Sequence, residues 1–400
     1  MKILVLAPHP FFQERGTPIA VKLLLQEVSG QGHAIDLLTY HEGDDVDIPG
    51  VTLHRIRRPL FARNVPPGPS LKKIICDLVM WPKAMVMARH TRYDVIHAVE
   101  ESVYMAMAIR RRHGIPYIYD MDSSLARQIS EKFPFLGFCL PLLTRLESAA
   151  IRGALAVVPV CDALADIART DGARKTILLR DISLLTPSTA EDIKAVKDYL
   201  IEEAPIETEG ELRFMYIGNL ETYQGMDLML DAFALFLKTG TPALLLIAGG
   251  KAADIKYYRQ KALSLGITSQ VRFMGPQPIS RMAALFDAAD ILVSPRIKGN
   301  NTPMKIYSYL ASGKPILATA LPTHTQVLTP GVALLASAEP QAFADAMGVL
   351  AGDAELRTRL GHDAQALAEQ SYSREAFRKT VDSLYMWVAT AVANARIPAP

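Results

Sequence analysis

The sequence is poor in cysteine, in tryptophan and in excess charge of either sign. Its 400 residues hold three cysteines, two tryptophans and a net charge of +2. Cys76, Cys139 and Cys161 are widely spaced and odd in number, which argues against a disulfide framework and against a cysteine metal cluster, and fits a reducing cytoplasm. So small a net charge, with no aromatic-interleaved basic motif, argues against nucleic acid as the main partner. Long hydrophobic runs are also missing. The most apolar candidate, IICDLVMWPKAMVMA, is broken by Asp77, Pro82 and Lys83, so no membrane-spanning segment is expected. The opening MKILVLAPHP carries one lysine and a run that stops at Pro8, which reads as a first buried strand rather than a signal peptide. The dinucleotide fingerprint GxGxxG is absent.

What the chain does have is hydrophobic content, 50% against 21% charged residues, enough at this length for two domains with full cores. Short β-branched or apolar runs alternate with longer amphipathic stretches, the pattern of parallel strands flanked by helices. KILVLA, AIDLLTY, VTLHRI, DVIHAV, PYIYD and LAVVPV form a first set, with helices expected over Thr17 to Gly30, Val103 to Arg112 and Leu142 to Arg152. LRFMYIG, ALLLIAGG, VRFMG, ADILVSP, KPILAT and GVALLA form a second. The expected fold is α/β: two Rossmann-like doubly wound parallel-sheet domains, over residues 1–187 and 212–372. The polar, acid-rich stretch 188–211, with turn signals at Pro205 and Gly210, is expected to link them, with its middle helical or not. Residues 373–400 form an amphipathic C-terminal helix that could cover either domain, crossing back to the N-terminal one as one option.

In open parallel sheets ligands bind beyond the carboxyl ends of the strands. After ADILVSP the chain runs through RIKGNN into TPMKIYSYLASGKP, where Thr302 reads as a helix cap, Pro303 as the first helical residue and Gly313 as the stop. Lys305 then falls in the first turn, where a cation is disfavoured by about 0.3–1 kcal/mol unless an anion joins it. With Arg296 and Lys298 it makes a cationic trio at a helix N-terminus, suited to a phosphate or diphosphate; solvated or surface-paired cations are the alternative. After FMYIG come the amides Asn219 and Gln224 beside Gly218 and Gly225, and after ALLLIA come Gly249 and Gly250. These let a bound group approach the backbone, or simply make turns. In the first half Gly16 follows strand one, ahead of Thr17 as a second possible cap and Pro18. His97 with Glu100 and Glu101 ends one strand, and Asp120 with Asp122 ends another, placed to accept hydroxyl protons or bind sugar hydroxyls. For Asp122, followed by two serines, a helix cap is the alternative.

Taken in order, GNLETYQG, LDAF, AGG, VRFMG, ADILVSP and YLASGKPI, together with the N-terminal strand and glycine loop, resemble a GT-B glycosyltransferase of the large retaining family four over nearly the whole chain. Each motif alone is weak; the order is specific. The resemblance implies two Rossmann-like halves with an inter-domain cleft, a nucleotide-diphospho-sugar on the C-terminal half, an acceptor on the N-terminal half, and no catalytic metal. It also exposes departures. Asn300 and Ser308 stand where the family carries two glutamates, Asn219 and Gln224 where it carries a diphosphate-gripping arginine and lysine, and Asp122 where it carries a histidine. The phosphate grip is therefore expected to have moved to Arg296, Lys298 and Lys305.

On this reading the reacting groups are Asp122, Arg296 and Lys305. The donor, UDP- or GDP-linked, is met by Gly16, Gly218, Asn219, Gln224, Gly249, Gly250, Asn300, Thr302 and Ser308, while His97, Glu100 and Asp120 face the acceptor. For Ser308 a ribose hydroxyl and the Met304 carbonyl are equal candidates as partner. The implied activity is retaining transfer of a sugar to a glycan or lipid-linked acceptor in cell-envelope or exopolysaccharide synthesis. A GT-B protein that binds a nucleotide sugar or a partner enzyme without turnover is the other class open to the same residues. Between His54 and Arg92 nine Lys and Arg residues, from Arg55 to Arg92, face one acid, Asp77, among Phe61, Ile74, Leu78, Trp81 and other apolar residues. That composition suits an anionic membrane surface, hence peripheral attachment at its cytoplasmic face, or else a core-facing helix with a solvated basic side.

Overall fold

The twelve apolar runs become twelve strands in a computed structural model of the chain, which describes residues 1–13, 16–60, 62–66, 68, 70–132, 140–204, 210–299 and 301–396. The chain divides into two units, Met1–Asp181 with Phe377–Pro400, and Ile182–Ala376. The first holds β1 (Lys2–Ala7), β2 (Ala34–Thr39), β3 (Val51–Arg55), β4 (Val95–Val99), β5 (Tyr117–Met121) and β6 (Ala156–Pro159), in the order β3-β2-β1-β4-β5-β6. The second holds β7 (Leu212–Ile217), β8 (Ala243–Ala248), β9 (Val271–Gly275), β10 (Ile291–Ser294), β11 (Ile316–Thr319) and β12 (Leu334–Ala336), in the order β12-β11-β10-β7-β8-β9.

All these pairings are parallel. Strands such as β4, β8 and β10 are buried along their whole length because helices cover both faces, which is why they read as unbroken apolar runs. Each sheet reverses direction of growth beside its first strand, so the switch points lie between β1 and β4 and between β7 and β10.

The helices follow their apolar spacing. Gly16–Gly30 buries Val21, Leu24, Leu25 and Val28, one stripe at three- and four-residue steps. The segment expected as a link contains a helix, Ala190–Glu203, in which the Thr189 side chain caps the Asp192 amide while Val196 and Leu200 are buried. Pro205 lies outside the described residues, as do Phe61 and Cys139. Cys76 and Cys161 are buried thiols. The last helix, Arg374–Arg396, belongs from Phe377 onward to the first unit, where Gln31 donates to Asp382 at 2.8 Å and Lys175 lies over the Trp387 ring. Among the described residues no helix is long and apolar enough to cross a membrane.

Two caps differ from expectation. Pro303 takes the N-cap position and the helix runs over the eight residues Met304–Ala311, so the Thr302 hydroxyl is not its cap. Gly16 opens the first helix, so Thr17 lies within it, and its side chain bonds Asp122 instead.

Candidate functional site

At the switch point of the second unit, β7 ends at Ile217 and β10 at Ser294, and the loops that leave them carry most of the expected donor groups. Gly249, with φ of 114°, packs so closely on the Gly218 carbonyl that any side chain there would overlap it. Gly225, with φ of 76°, is likewise pressed on the Pro295 carbonyl. These glycines, and Gly250 against the Leu220 side chain, are thus explained by packing of the loops on each other. That close packing shapes the floor on which Lys305 rests.

The Lys305 side chain extends back from the helix start to lie over the Tyr216 ring, its Nζ 3.8 Å from the ring centroid and beside Gly218. The ammonium is out of solvent and has no hydrogen-bond partner among the described residues. Burial, reinforced by the Arg296 charge, holds its pKa well below the usual lysine range. Arg296 lies over the neighbouring Tyr223 ring at 5.2 Å. The Thr302 hydroxyl and the Gln224 amide oxygen are also buried without hydrogen-bond partners among the described residues. A buried polar group without a hydrogen bond costs about 1–3 kcal/mol and a charged one more, so Lys305 carries the largest such cost of the three.

Several expected residues take other places. Lys298 is exposed and borders a separate groove of about 710 Å³ with Tyr223, Asp254 and Tyr257, so the structure brings Arg296 and Lys305 together without it. Asn219 is exposed and turns its amide oxygen onto the Glu221 N–H at 3.2 Å, a local turn that leaves its amide nitrogen near Tyr223. Ser308 accepts from the Leu184 amide at 3.4 Å, a residue distant in sequence. Asn300 lies outside the described residues.

The switch point of the first unit is built from acids. Glu100 follows β4 with φ of 49°, a left-handed conformation that a non-glycine residue adopts at a cost of about 1–2 kcal/mol. Lys73 is buried between Glu100 at 3.2 Å and Glu101 at 2.7 Å. Burial pulls its pKa down, and the two carboxylates outweigh that and raise it. Lys73 is therefore an internal partner of these acids and no part of a basic surface. Together with Gly16, Thr17 and Tyr40 it lines a cavity of about 230 Å³.

One strand over, Asp122 bonds Thr17, and burial with the charges of Asp120, Glu100 and Asp181 pushes its pKa well up. Asp181, unmarked by any sequence signal, is pushed up to about 7 by burial and by Asp120. His97 is wholly buried. Its Nε2 lies 3.1 Å from Asp120 and its Nδ1 2.9 Å from the Tyr385 hydroxyl of the last helix. With Tyr385 donating to Nδ1, Nε2 carries the proton and holds Asp120 in place. Among the described residues no group of three or more His, Cys, Asp or Glu is arranged to hold a metal ion.

Residues 200–367 match the family Glycosyl transferases group 1, and residues 15–179 match the Glycosyl transferase 4-like domain. D-inositol 3-phosphate glycosyltransferase of Corynebacterium efficiens is 29% identical over 46% of this chain and 44% of its own length, so the alignment spans less than half of that relative. Sucrose-phosphate synthase from Thermosynechococcus elongatus superposes with a TM-score of 0.77 at 17% identity, covering 98% of this chain and 99% of that one. Anabaena HepE in complex with UDP superposes with a TM-score of 0.73 at 16% identity, covering 96% and 100%. At such identities the two structures speak for the fold. Two parallel six-stranded sheets with the same switch-point order, each half matched to its own glycosyltransferase description, place the chain among the GT-B glycosyltransferases of the GT4 kind.

Proposed function

We propose that this protein transfers a glycosyl group from a UDP- or GDP-linked sugar to a glycan or lipid-linked acceptor, with retention of configuration, in the synthesis of envelope or extracellular glycans. The observation that carries the reading is the Lys305 ammonium, buried and unpaired at a helix start beside Arg296. A diphosphate is the anion that would satisfy it. UDP in the complex of Anabaena HepE supports a nucleotide donor, and the similarity to the Corynebacterium glycosyltransferase supports glycosyl transfer.

In the transfer the bond from the anomeric carbon to the diphosphate oxygen breaks, and the acceptor hydroxyl forms the new bond on the same face. Its proton goes to the departing phosphate. Arg296, Lys305 and the helix N–H groups stabilise the charge that develops on the leaving group, so the proposal calls on no metal ion. Burial and the neighbouring carboxylates push the Asp122 pKa well up, favouring the protonated form, which donates a hydrogen bond to a sugar oxygen without repelling the donor. The test is release of free nucleotide from a panel of UDP- and GDP-sugars with glycan and lipid-linked acceptors, with the product anomer read by NMR. Tight donor binding with no release, with acceptors or with water, would establish the non-catalytic binding protein instead.

Membrane attachment is the second part of the proposal. Leu71, Ile74, Leu78 and Trp81 fall at three- and four-residue steps on the helix Leu71–His90 and are 73%, 55%, 69% and 39% exposed. The outward side of this helix is thus apolar, with Arg89 and Arg92 also exposed, as suits shallow insertion among anionic lipids. In flotation with vesicles, wild-type binding should rise with phosphatidylglycerol content and fall in Leu78→Ser/Trp81→Ala. Indifference to anionic lipid sinks this part.

A further inference from the structure

Four wholly buried polar side chains lie behind the cations of the second unit: Ser294, Thr319, Thr323 and His324. The parallel register of β10 and β11 sets Ser294 opposite Ala318, so Thr319 stands level with the first residues of the loop that follows β10. There the Thr319 hydroxyl donates to the Arg296 carbonyl at 2.5 Å. At the other end of the same loop the Thr323 hydroxyl donates to the Asn301 carbonyl at 2.8 Å. His324 ties the two supports to the sheet, its Nδ1 3.0 Å from the Thr319 carbonyl and its Nε2 2.9 Å from the Ser294 hydroxyl.

The proton positions follow from the partners. A carbonyl only accepts, so Nδ1 carries the hydrogen, and Nε2 accepts from Ser294. The arrangement needs a neutral imidazole. Burial, with Lys305 and Arg296 adding to it against the pull of the Thr319 carbonyl, pushes the His324 pKa down to about 3, so the ring stays neutral. The network spends its donors on the carbonyls of the loop and so fixes the loop ends, and with them the place from which Arg296 rises and the point where the chain enters the Lys305 helix. A packed apolar replacement would fill the same volume and leave those carbonyls unpaired.

We propose that Thr319, Thr323 and His324 are positioning residues for diphosphate recognition: they hold both ends of the 296–301 loop so that Arg296 and Lys305 meet one anion. The proposal rests on the donor reading above. It separates from general stability because the two hydroxyls act at defined carbonyls, and a hydroxyl can be removed at nearly constant volume.

Thr319→Val and Thr323→Val remove the donors, and Thr319→Ser and Thr323→Ser keep them. Titration of UDP and of inorganic pyrophosphate by calorimetry, alongside the melting temperature of each free variant, reads binding and stability separately. Each valine variant should bind both probes about tenfold more weakly, and each serine variant should stay within about threefold of wild type. Either pair suffices if the other does not fold. Valine variants that melt lower yet bind like wild type overturn the proposal, because the hydroxyls are then structural only. Serine variants that lose as much as valine variants overturn it as well, since the methyl group and not the hydroxyl then matters. If the wild type binds neither probe, the donor reading itself fails and this proposal falls with it.

Discussion

At the end of β4 in the first unit stand Glu100 and Glu101, with Asp120 and Asp122 one strand over; at the end of β10 in the second unit, the corresponding strand, stand Arg296 and, one helix start later, Lys305. The strand order is shared and the charge is inverted. Lys73, Thr17 and His97 pair with acids of the first unit, whereas the Lys305 ammonium in the second has no hydrogen-bond partner among the described residues. The sheets therefore supply the place, and the loops beyond the strands supply the chemistry. In the proposed function the carboxyl groups, which donate and accept hydrogen bonds, would meet a polyol acceptor, and the buried cations a nucleotide diphosphate.

The sharpest way to break this contrast is to remove the orphan cation. Lys305→Ala should weaken UDP or GDP binding about 10- to 100-fold in calorimetry, the range for lost charge-assisted hydrogen bonds, while Lys238→Ala on an exposed surface leaves it unchanged. The free protein should respond the other way. Because the folded-state pKa of Lys305 lies below its unfolded value, the unfolded state binds more protons and the group costs stability at neutral pH, a cost that fades as pH rises toward the ordinary lysine value. Lys305→Met should accordingly raise the melting temperature at pH 7.

On the acidic side the expected effect falls on turnover rather than on donor affinity. Asp122→Ala should lower transfer about 100-fold, the upper part of the range for a hydrogen-bonding acid or base, with UDP affinity within about twofold of wild type. Loss of UDP affinity would place Asp122 on the donor. Smaller still is the effect of Tyr385→Phe, which leaves His97 Nδ1 unpaired: transfer should drop about threefold and the melting temperature by about 2–4 °C, again with UDP affinity unchanged. Asp181 tests the retained protons. Its folded-state pKa of about 7 lies above the unfolded value, so stability is full below about pH 4 and is lost as pH rises through 7. Asp181→Asn should match wild type at pH 4 and melt about 2–4 °C higher at pH 8.

Much of the fold was legible because parallel strands buried on both faces must be short apolar runs, and runs such as KILVLA and ALLLIA carry no competing signal. Lys305 was legible as an anomaly of charge at a helix start. The sequence did not reveal the surfaces the cations rest on, Tyr216 and Tyr223, since aromatic residues in and after a strand look like core. Thr319, Thr323 and His324 reach the Arg296 loop only through the β10–β11 register, a pairing between distant segments that no local pattern encodes. Lys73 misled because a buried lysine between two acids reads, in one dimension, like its less buried neighbour Lys72. Asp181 stood in a stretch with no element and no motif around it.

The central claim, that a donor diphosphate completes the orphaned Lys305, is tested most directly by a crystal structure with UDP or GDP bound. A diphosphate oxygen within about 3.2 Å of Lys305 Nζ, with a second near Arg296, is the result the account predicts. A nucleotide bound elsewhere on the second unit, with Lys305 still lying unpaired over the Tyr216 ring, would contradict it.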